Sequence, residues 1–539
     1  MLPAALPAAD PDDDLRYRNL SWWGSSSLSE HVASLAATRG DDAAYIWDAA
    51  TLTWQAYSDL ADAIAARLVG EGIDRGDRVL VWLPDGGAVH AAFLGCERAG
   101  AVAVGIGWRS GMRELTHLLQ RTGARHAVLA TLTPGGPAHE VAERLGTASV
   151  ITMHDLDGSP RVSSGAIGEF TGRGLGPSEL WQLNSTSGTT GLPKCVMQTT
   201  NRWVYFHHKA VEFGGLSSDD VWMSVLPAPF GFGLWTAHVS PTLLGVPCVV
   251  QTRFDAAQAA ADVAKHQVTV LAAVSSQFVM IMDAAGDNDL SSLKVLFTGG
   301  EAISASRARD FEGRTGCRVL NFYGSNETGL LSGTRCTDPL ERRVTTAGQI
   351  VPEMQVRLYD LDGKRVPGDT GEGRPACKGP ATALGYWDDD ANAELFTDDG
   401  WMLMGDVVRI DAEGWLSVVA RTADFIIRGG KNISAPAVEE EVATHPAVSL
   451  VAAMAVRDDR LGERIGVFVE LKPGHSLDLP TLVQHLRDRE VSREWWPEHF
   501  WVLPELPRSS GGKVAKSALL ALVTTHTNDT PGPSPDAAK

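Results

Sequence analysis

The chain has 539 residues, of which 44% are hydrophobic and 21% charged, so about three or four compact units can form around a large core without metal or disulfide staples. Asp and Glu outnumber Lys and Arg by 66 to 47, a formal charge of −19. That balance excludes nucleic acid and acidic membrane surfaces as default partners, because both are polyanions.

The first residues, MLPAALPAADPDDDL, are acidic where a secretory leader would be basic and then apolar. Segments 1–14 and 526–539 are rich in Pro, Asp, Thr and Ala, show no periodicity and read as disordered tails. No stretch approaches the roughly 18 apolar residues of a membrane span, so no integral membrane association is expected. Cys96, Cys195, Cys248, Cys317, Cys336 and Cys377 are too far apart in sequence for a CxxC pair. They read as reduced thiols of a cytoplasmic protein.

In chain order, 78–83 (RVLVWL) reads as a buried strand and 88–99 as a helix. Leu180 to Leu183 form an apolar strand, and a helical stretch begins at Asn201. Strands at 268–274 and 295–298 are paired with helices at 255–265 and 304–313. This alternation predicts βαβ units and a mainly parallel sheet. A short strand at 414–419 precedes a polar, glycine-rich stretch at 421–432. Beyond it come a helix at 436–444, strands near 449–456 and 466–471, and a helix at 479–490. The expected organisation is a large part at 15–420 and a small α+β part at 424–525.

Residues 185–194 (STSGTTGLPK) carry the densest chemistry. Ser185, Thr186, Ser187, Thr189 and Thr190 supply hydroxyls, and Gly188, Gly191 and Lys194 complete the segment. Glycines let backbone N–H groups approach an anion, hydroxyls add donors and the lysine adds charge. The composition predicts a phosphate-binding loop, with a plain surface loop as the alternative. The GxxxxGK[ST] spacing of P-loop NTPases is absent.

Further segments follow in a fixed order. Gly299, Gly300 and Glu301 come after a strand. Asn321-Phe322-Tyr323-Gly324-Ser325-Asn326-Glu327 is similar to an NxYGxTE pattern. GWMLMGD ends at Asp406, and an Arg-led stretch runs from Arg421 through Ala423, Arg428, Gly429, Gly430 and Lys431. LPRSSGGK ends at Lys513. Together with 185–194 these segments resemble the adenylate-forming, AMP-binding superfamily. That group includes acyl- and aryl-CoA synthetases, stand-alone aryl-acid adenylating enzymes, peptide-synthetase adenylation domains and luciferases. The resemblance spans about residues 25–520.

The resemblance implies an α/β fold: two βα-layered subdomains and a distorted β-barrel, with a small mobile C-terminal α+β lid. It implies ATP, Mg2+ and CoA as cofactors. Lys513 would bridge the carboxylate and the α-phosphate, Glu327 would ligate Mg2+, and Thr186 would belong to the catalytic loop. Nucleotide contacts would come from Ser187, Gly188, Thr189, Thr190, Gly191, Lys194, Gly299, Gly300, Glu301, Asn321, Phe322, Gly324 and Asn326. Tyr323 would stack on adenine, Asp406 would hold the ribose hydroxyls, and Arg421 would assist at ribose or phosphate. Ala423 would be the hinge about which the lid turns, and Gly429 and Gly430 a wall of the thiol tunnel. Arg428 and Lys431 would face the CoA 3′-phosphate.

The sequence departs from the family pattern at several positions. Asn326 replaces the usual Thr, Cys195 a Gly, Thr200 a His, Met404 a Thr, and Ala423 the usual Asp or Lys. Phe230 takes the place of the usual His in LPAPFGFGLWT, residues 226–236. That segment holds no acid to pair with a substrate ammonium and no Asn. With Phe322, the aromatic residues Phe230, Phe232 and Trp235 predict a short, flat apolar pocket. The expected substrate is a compact aromatic or alicyclic carboxylic acid, in the manner of benzoate and cyclohexanecarboxylate CoA ligases. A medium-chain fatty acid is the alternative.

No GGxS-like pantetheine site follows Lys513, so the acyl group is expected to leave on CoA or on an external carrier protein. A nucleotide-binding protein without turnover is disfavoured, because Lys513, Glu327, Asp406 and Arg421 are all present. The sequence is compatible with a homodimer.

Overall fold

Strands buried on both faces need continuous apolar runs, and helices must then cover those faces. The computed structural model has this arrangement. It describes residues 8–48, 50–156, 159–185, 194–300, 303–360, 363–387, 389–421, 425–428, 431–458, 462–489, 491–508, 514–516, 518–520 and 522. The side chains of Arg421 and Lys431 lie outside that description.

The chain divides into two units. The first comprises 1–303, 307–357 and 376–404; the second comprises 304–306, 358–375 and 405–539. The division passes inside two strands, Gln355–Tyr359 and Gly371–Lys378.

The first unit holds two large sheets. The seven-stranded sheet runs Cys195–Thr199, Leu180–Ser185, Val102–Gly105, Arg78–Trp82, His126–Ala130, Ser149–Leu156, Ser159–Val162. Its inner pairs are parallel and its edge pairs antiparallel. All five residues of Arg78–Trp82 are buried, as the apolar run predicts. The following helix, Gly87–Ala99, is buried all round, which suits a sequence that is small and apolar apart from His90, Glu97 and Arg98.

The nine-stranded sheet has a parallel centre. Cys248–Val250, Trp222–Ser224, Val270–Ala272, Val295–Gly299 and Arg318–Ser325 lie side by side. The helices Ala256–His266 and Ala305–Thr315 fall where the alternation places them. In the second unit, Asp406–Ile410 pairs antiparallel with Leu416–Arg421 and with the start of Gly371–Lys378. Among the described residues this order is open, so a distorted barrel is not confirmed.

One expectation is corrected. Residues 10–14, read as part of a tail, begin the helix Pro11–Asn19. The Asp10 carboxylate caps it, Pro11 fills the first turn, and Asp12, Asp13 and Asp14 favour its N-terminal dipole. Tyr17 is buried, and the Asp14 carboxylate accepts from the Ser178 hydroxyl. Residues 1–7 and 523–539 lie outside the described residues.

The second unit ends in the expected α+β pattern. Lys431–Ser434, Phe425–Arg428, Gly462–Leu471 and Val448–Asp458 form one sheet, with His499–Leu503 parallel to Gly462–Leu471. Alternate residues face opposite sides of a strand. Ala453, Ile465 and Val467 therefore pack with Val438 and Leu482 of the helices Ala435–Ala443 and Leu479–Asp488. Ala452, Met454 and Phe468 pack on the other face with Leu506 and Leu519. Among the described residues no helix is long and apolar enough to cross a membrane. None of the six cysteines is in a disulfide.

Candidate active site

The phosphate-loop candidate lies between two strands that pair antiparallel, with Ser185 opposite Cys195. Its two ends are therefore held side by side at the sheet edge. Ser185 is buried and donates to the Gly105 carbonyl at 3.1 Å. Thr186, Ser187, Gly188, Thr189, Thr190 and Gly191 lie outside the described residues. The Lys194 ammonium sits 4.9 Å from the Tyr386 ring centroid and 3.7 Å from the Glu394 carboxylate.

The strands Val295–Gly299 and Arg318–Ser325 run in parallel and bring two other candidate segments together, with Gly299 opposite Phe322. A Cβ on Gly299 would collide with the Phe322 carbonyl, so the close approach needs glycine. Gly300 then takes the left-handed conformation, φ +76°, and Glu301 lies outside the described residues. The Asn321 amide donates to the Thr346 carbonyl at 3.1 Å, so that side chain braces its own strand. Tyr323 is buried, with its hydroxyl 3.7 Å from the Met404 sulfur. Met404 thus partners the candidate adenine-stacking ring. Gly324 faces the Gly329 backbone so closely that a Cβ there would meet the Gly329 carbonyl.

The turn after this strand carries Asn326 and Glu327. Arg202, buried on the helix Thr200–Gly214, holds the turn from behind. Its guanidinium donates to the carbonyls of Ala381 and Asn326, both at 2.7 Å, and of Glu327 at 3.4 Å. It also donates to the Gln198 side-chain oxygen. Burial pulls the Arg202 pKa down to about 9, against the opposing pull of Glu327. The Ala383 N–H donates to the Glu327 carbonyl at 2.7 Å. The Tyr386 hydroxyl donates to Glu327 Oε1 at 2.6 Å, fixing the carboxylate's direction.

The aromatic candidates are partly core and partly lining. Trp235 is 1% exposed and Phe322 6% exposed, whereas Phe230 and Phe232 are half-buried. The Trp235 ring lies nearly parallel to Phe232 and Phe322, with centroids 5.7 Å and 5.6 Å away. Phe206 meets it edge-on at 4.4 Å. Trp235 stands in a π-helical turn, Leu234–Val239. Asp85 reaches the same segment and accepts from the Ala228 N–H at 2.7 Å. Burial pushes the Asp85 carboxyl up to about 7.

In the second unit, Asp406 and Arg421 stand directly opposite on paired antiparallel strands. The two residues assigned to the ribose and phosphate thus share one register position. Arg428 donates to the Glu498 carboxylate at 2.7 Å, and Arg464 shares that acid at 3.0 Å. Ala423, Gly429, Gly430 and Lys513 lie outside the described residues.

Sequence reasoning missed Arg202, Tyr386 and Asp85. Arg202 had a signal: a lone guanidinium in a largely apolar helical stretch must find buried acceptors. Tyr386 and Asp85 lie in none of the family-like segments.

Known proteins share this organisation. The profile of the family described as AMP-binding enzyme matches residues 32–387. That of the AMP-binding enzyme C-terminal domain matches 437–513. The chain is 30% identical to the medium-chain fatty-acid–CoA ligase of Escherichia coli K12, over 93% of this chain and 91% of that one. It is 33% identical to a 2-hydroxy-7-methoxy-5-methyl-1-naphthoate–CoA ligase of Streptomyces carzinostaticus, over 95% and 96%. In fold it is similar to the anthranilate CoA ligase AuaEII solved with anthranoyl-AMP, with a TM-score of 0.82 at 20% identity, covering 95% of this chain and 99% of that one. The chain belongs to the AMP-binding enzyme family and is an AMP-forming acid–thiol ligase.

Proposed function

We propose that this ligase activates a compact aromatic or alicyclic carboxylic acid and passes it to CoA. The observation that carries the reading is the Trp235 ring held nearly parallel to Phe232 and Phe322 beside the buried strands. The stack backs Phe232, its half-buried member, whose flat apolar ring suits a ring substrate rather than a flexible chain. Both curated relatives named above are CoA ligases, and one takes an aromatic acid by name.

In the first half-reaction a carboxylate oxygen attacks the α-phosphorus of ATP, the bond to the β-phosphate breaks, and pyrophosphate leaves. Lys513 steadies the charge growing between carboxylate and α-phosphate. The segment 185–194 cradles the departing phosphates. Asp406 takes the ribose hydroxyls, with Arg421 opposite it, and Tyr323 stacks on adenine. The donor chemistry at Glu327 fits Mg2+: it is a carboxylate, oriented by Tyr386, and carboxylate is the ligand such a hard cation takes. When bound there, the ion would neutralise phosphate charge. In the second half-reaction the CoA sulfur attacks the acyl carbon, loses its proton, and AMP leaves. Ala423 would be the hinge between the two steps, joining an adenylating part at 15–420 to a lid at 424–525. The protein would work in the cytoplasm.

A pyrophosphate-release panel tests the substrate reading. Benzoate or cyclohexanecarboxylate should be turned over with higher kcat/KM than octanoate or any amino acid. Preference for octanoate or longer chains would overturn it.

A further inference from the structure

The side-chain oxygen of Asn326 is buried and has no hydrogen-bond partner among the described residues. It rests against Gly231, where a Cβ would collide with it, and the same Cβ would lie 3.4 Å from the Trp203 ring. Gly231 thus leaves a space that the Asn326 amide fills. The surroundings are aromatic: Trp203 meets Phe206 edge-on at 5.8 Å, and Phe206 meets Trp235.

Two further buried amides lie beside the neighbouring backbone at Pro229. Asn184 donates to the Pro229 carbonyl at 3.2 Å and keeps a buried side-chain oxygen without a partner among the described residues. Among the described residues Gln182 has neither side-chain polar atom paired, and a Cβ on Gly105 would lie 3.1 Å from both Gln182 Nε2 and Pro229 Cβ. A buried acceptor without a donor costs about 1–3 kcal/mol. Three side chains with such atoms around one short segment point to polar hydrogens supplied from outside the fold.

We infer that Asn326 is a specificity-determining residue, whose side-chain oxygen accepts a hydrogen bond from a hydroxyl or amino substituent on the ring of the acid. This rests on the reading of the substrate as a compact ring acid. It narrows the class to aromatic acids bearing a hydrogen-bond donor. Gly231 is the partner condition, because any side chain there displaces the amide.

The experiment compares kcat/KM for pyrophosphate release with benzoate, 2-hydroxybenzoate, 3-hydroxybenzoate and their methoxy counterparts. The wild-type enzyme should favour one hydroxy acid over both its methoxy counterpart and benzoate by about tenfold or more. In Asn326→Leu and Gly231→Ala that ratio should fall to within about threefold of unity, whatever the absolute rate. Asn326→Asp keeps an acceptor and should keep the preference. A wild-type ratio near unity, with benzoate well used, would overturn the inference while leaving the ring-acid reading intact. A wild-type preference that survives both Asn326→Leu and Gly231→Ala would also overturn it. If octanoate alone is activated, the ring-acid reading itself fails and takes the inference with it. If a variant does not fold, the wild-type comparison of hydroxy, methoxy and unsubstituted acids still decides.

Discussion

The Tyr386 hydroxyl donates to Glu327 Oε1 at 2.6 Å. Burial, and then the Glu327 charge, raise the phenol's pKa, so the proton stays on the tyrosine. A short hydrogen bond to a carboxylate is among the stronger ones and fixes its direction. Tyr386→Phe should lower the adenylation rate by about tenfold and raise the Mg2+ concentration needed for half-maximal rate. Titrating Mg2+ in a pyrophosphate-release assay reads both. An unchanged Mg2+ dependence would remove Tyr386 from this role.

Arg202 supports the same turn through carbonyls at 326, 327 and 381. Arg202→Leu would take the guanidinium donor from the buried Ala381 carbonyl and one of two donors from each of the Asn326 and Glu327 carbonyls, and should cost about 2–3 kcal/mol. Arg202→Lys should recover little, since an ammonium lacks the planar fork that reaches several carbonyls. Chemical denaturation measures both. Wild-type stability in Arg202→Leu would contradict this account.

His238 is 1% exposed, stacks between His90 and Trp181 at 5.4 Å and 5.6 Å, and neither of its ring nitrogens has a hydrogen-bond partner among the described residues. Burial pushes its pKa down to about 3. The folded state then refuses a proton that the unfolded chain takes near pH 6.5. Stability from this group is full above that pH and is lost as pH falls toward 3. Between pH 7 and pH 4 the stability difference should move by about 3 kcal/mol in favour of His238→Phe over wild type. Urea unfolding at the two pH values checks it, and parallel losses in both proteins would count against the assignment.

Lys513→Ala should slow adenylate formation by at least about 100-fold. It should largely spare thioester formation from a preformed acyl-adenylate, because under the proposed hinge at Ala423 the lid would have turned by then. Equal losses in both half-reactions would remove Lys513 from the first step.

Much of this was legible in the sequence. Strands such as Arg78–Trp82 and helices such as Gly87–Ala99 followed from mainly apolar runs, and the ordered motifs pointed to the family. The helix Pro11–Asn19 was readable too: Asp10, Pro11 and three acids form an N-terminal capping pattern. Composition alone hid it. The contacts of Arg202, Tyr386 and Asn326 were not legible, because each joins positions far apart in sequence. Asn326 meets Gly231 only through tertiary packing. A Thr-to-Asn departure in a motif gives no hint that its side chain points toward a distant glycine.

The most direct test supplies the enzyme with ATP, Mg2+, CoA and a ring acid, and follows all products by mass spectrometry. Acyl-CoA, AMP and pyrophosphate should appear in equal amounts, with the acyl-adenylate accumulating when CoA is left out. ADP and phosphate in place of AMP and pyrophosphate, or no acyl-adenylate from any carboxylic acid, would contradict the account.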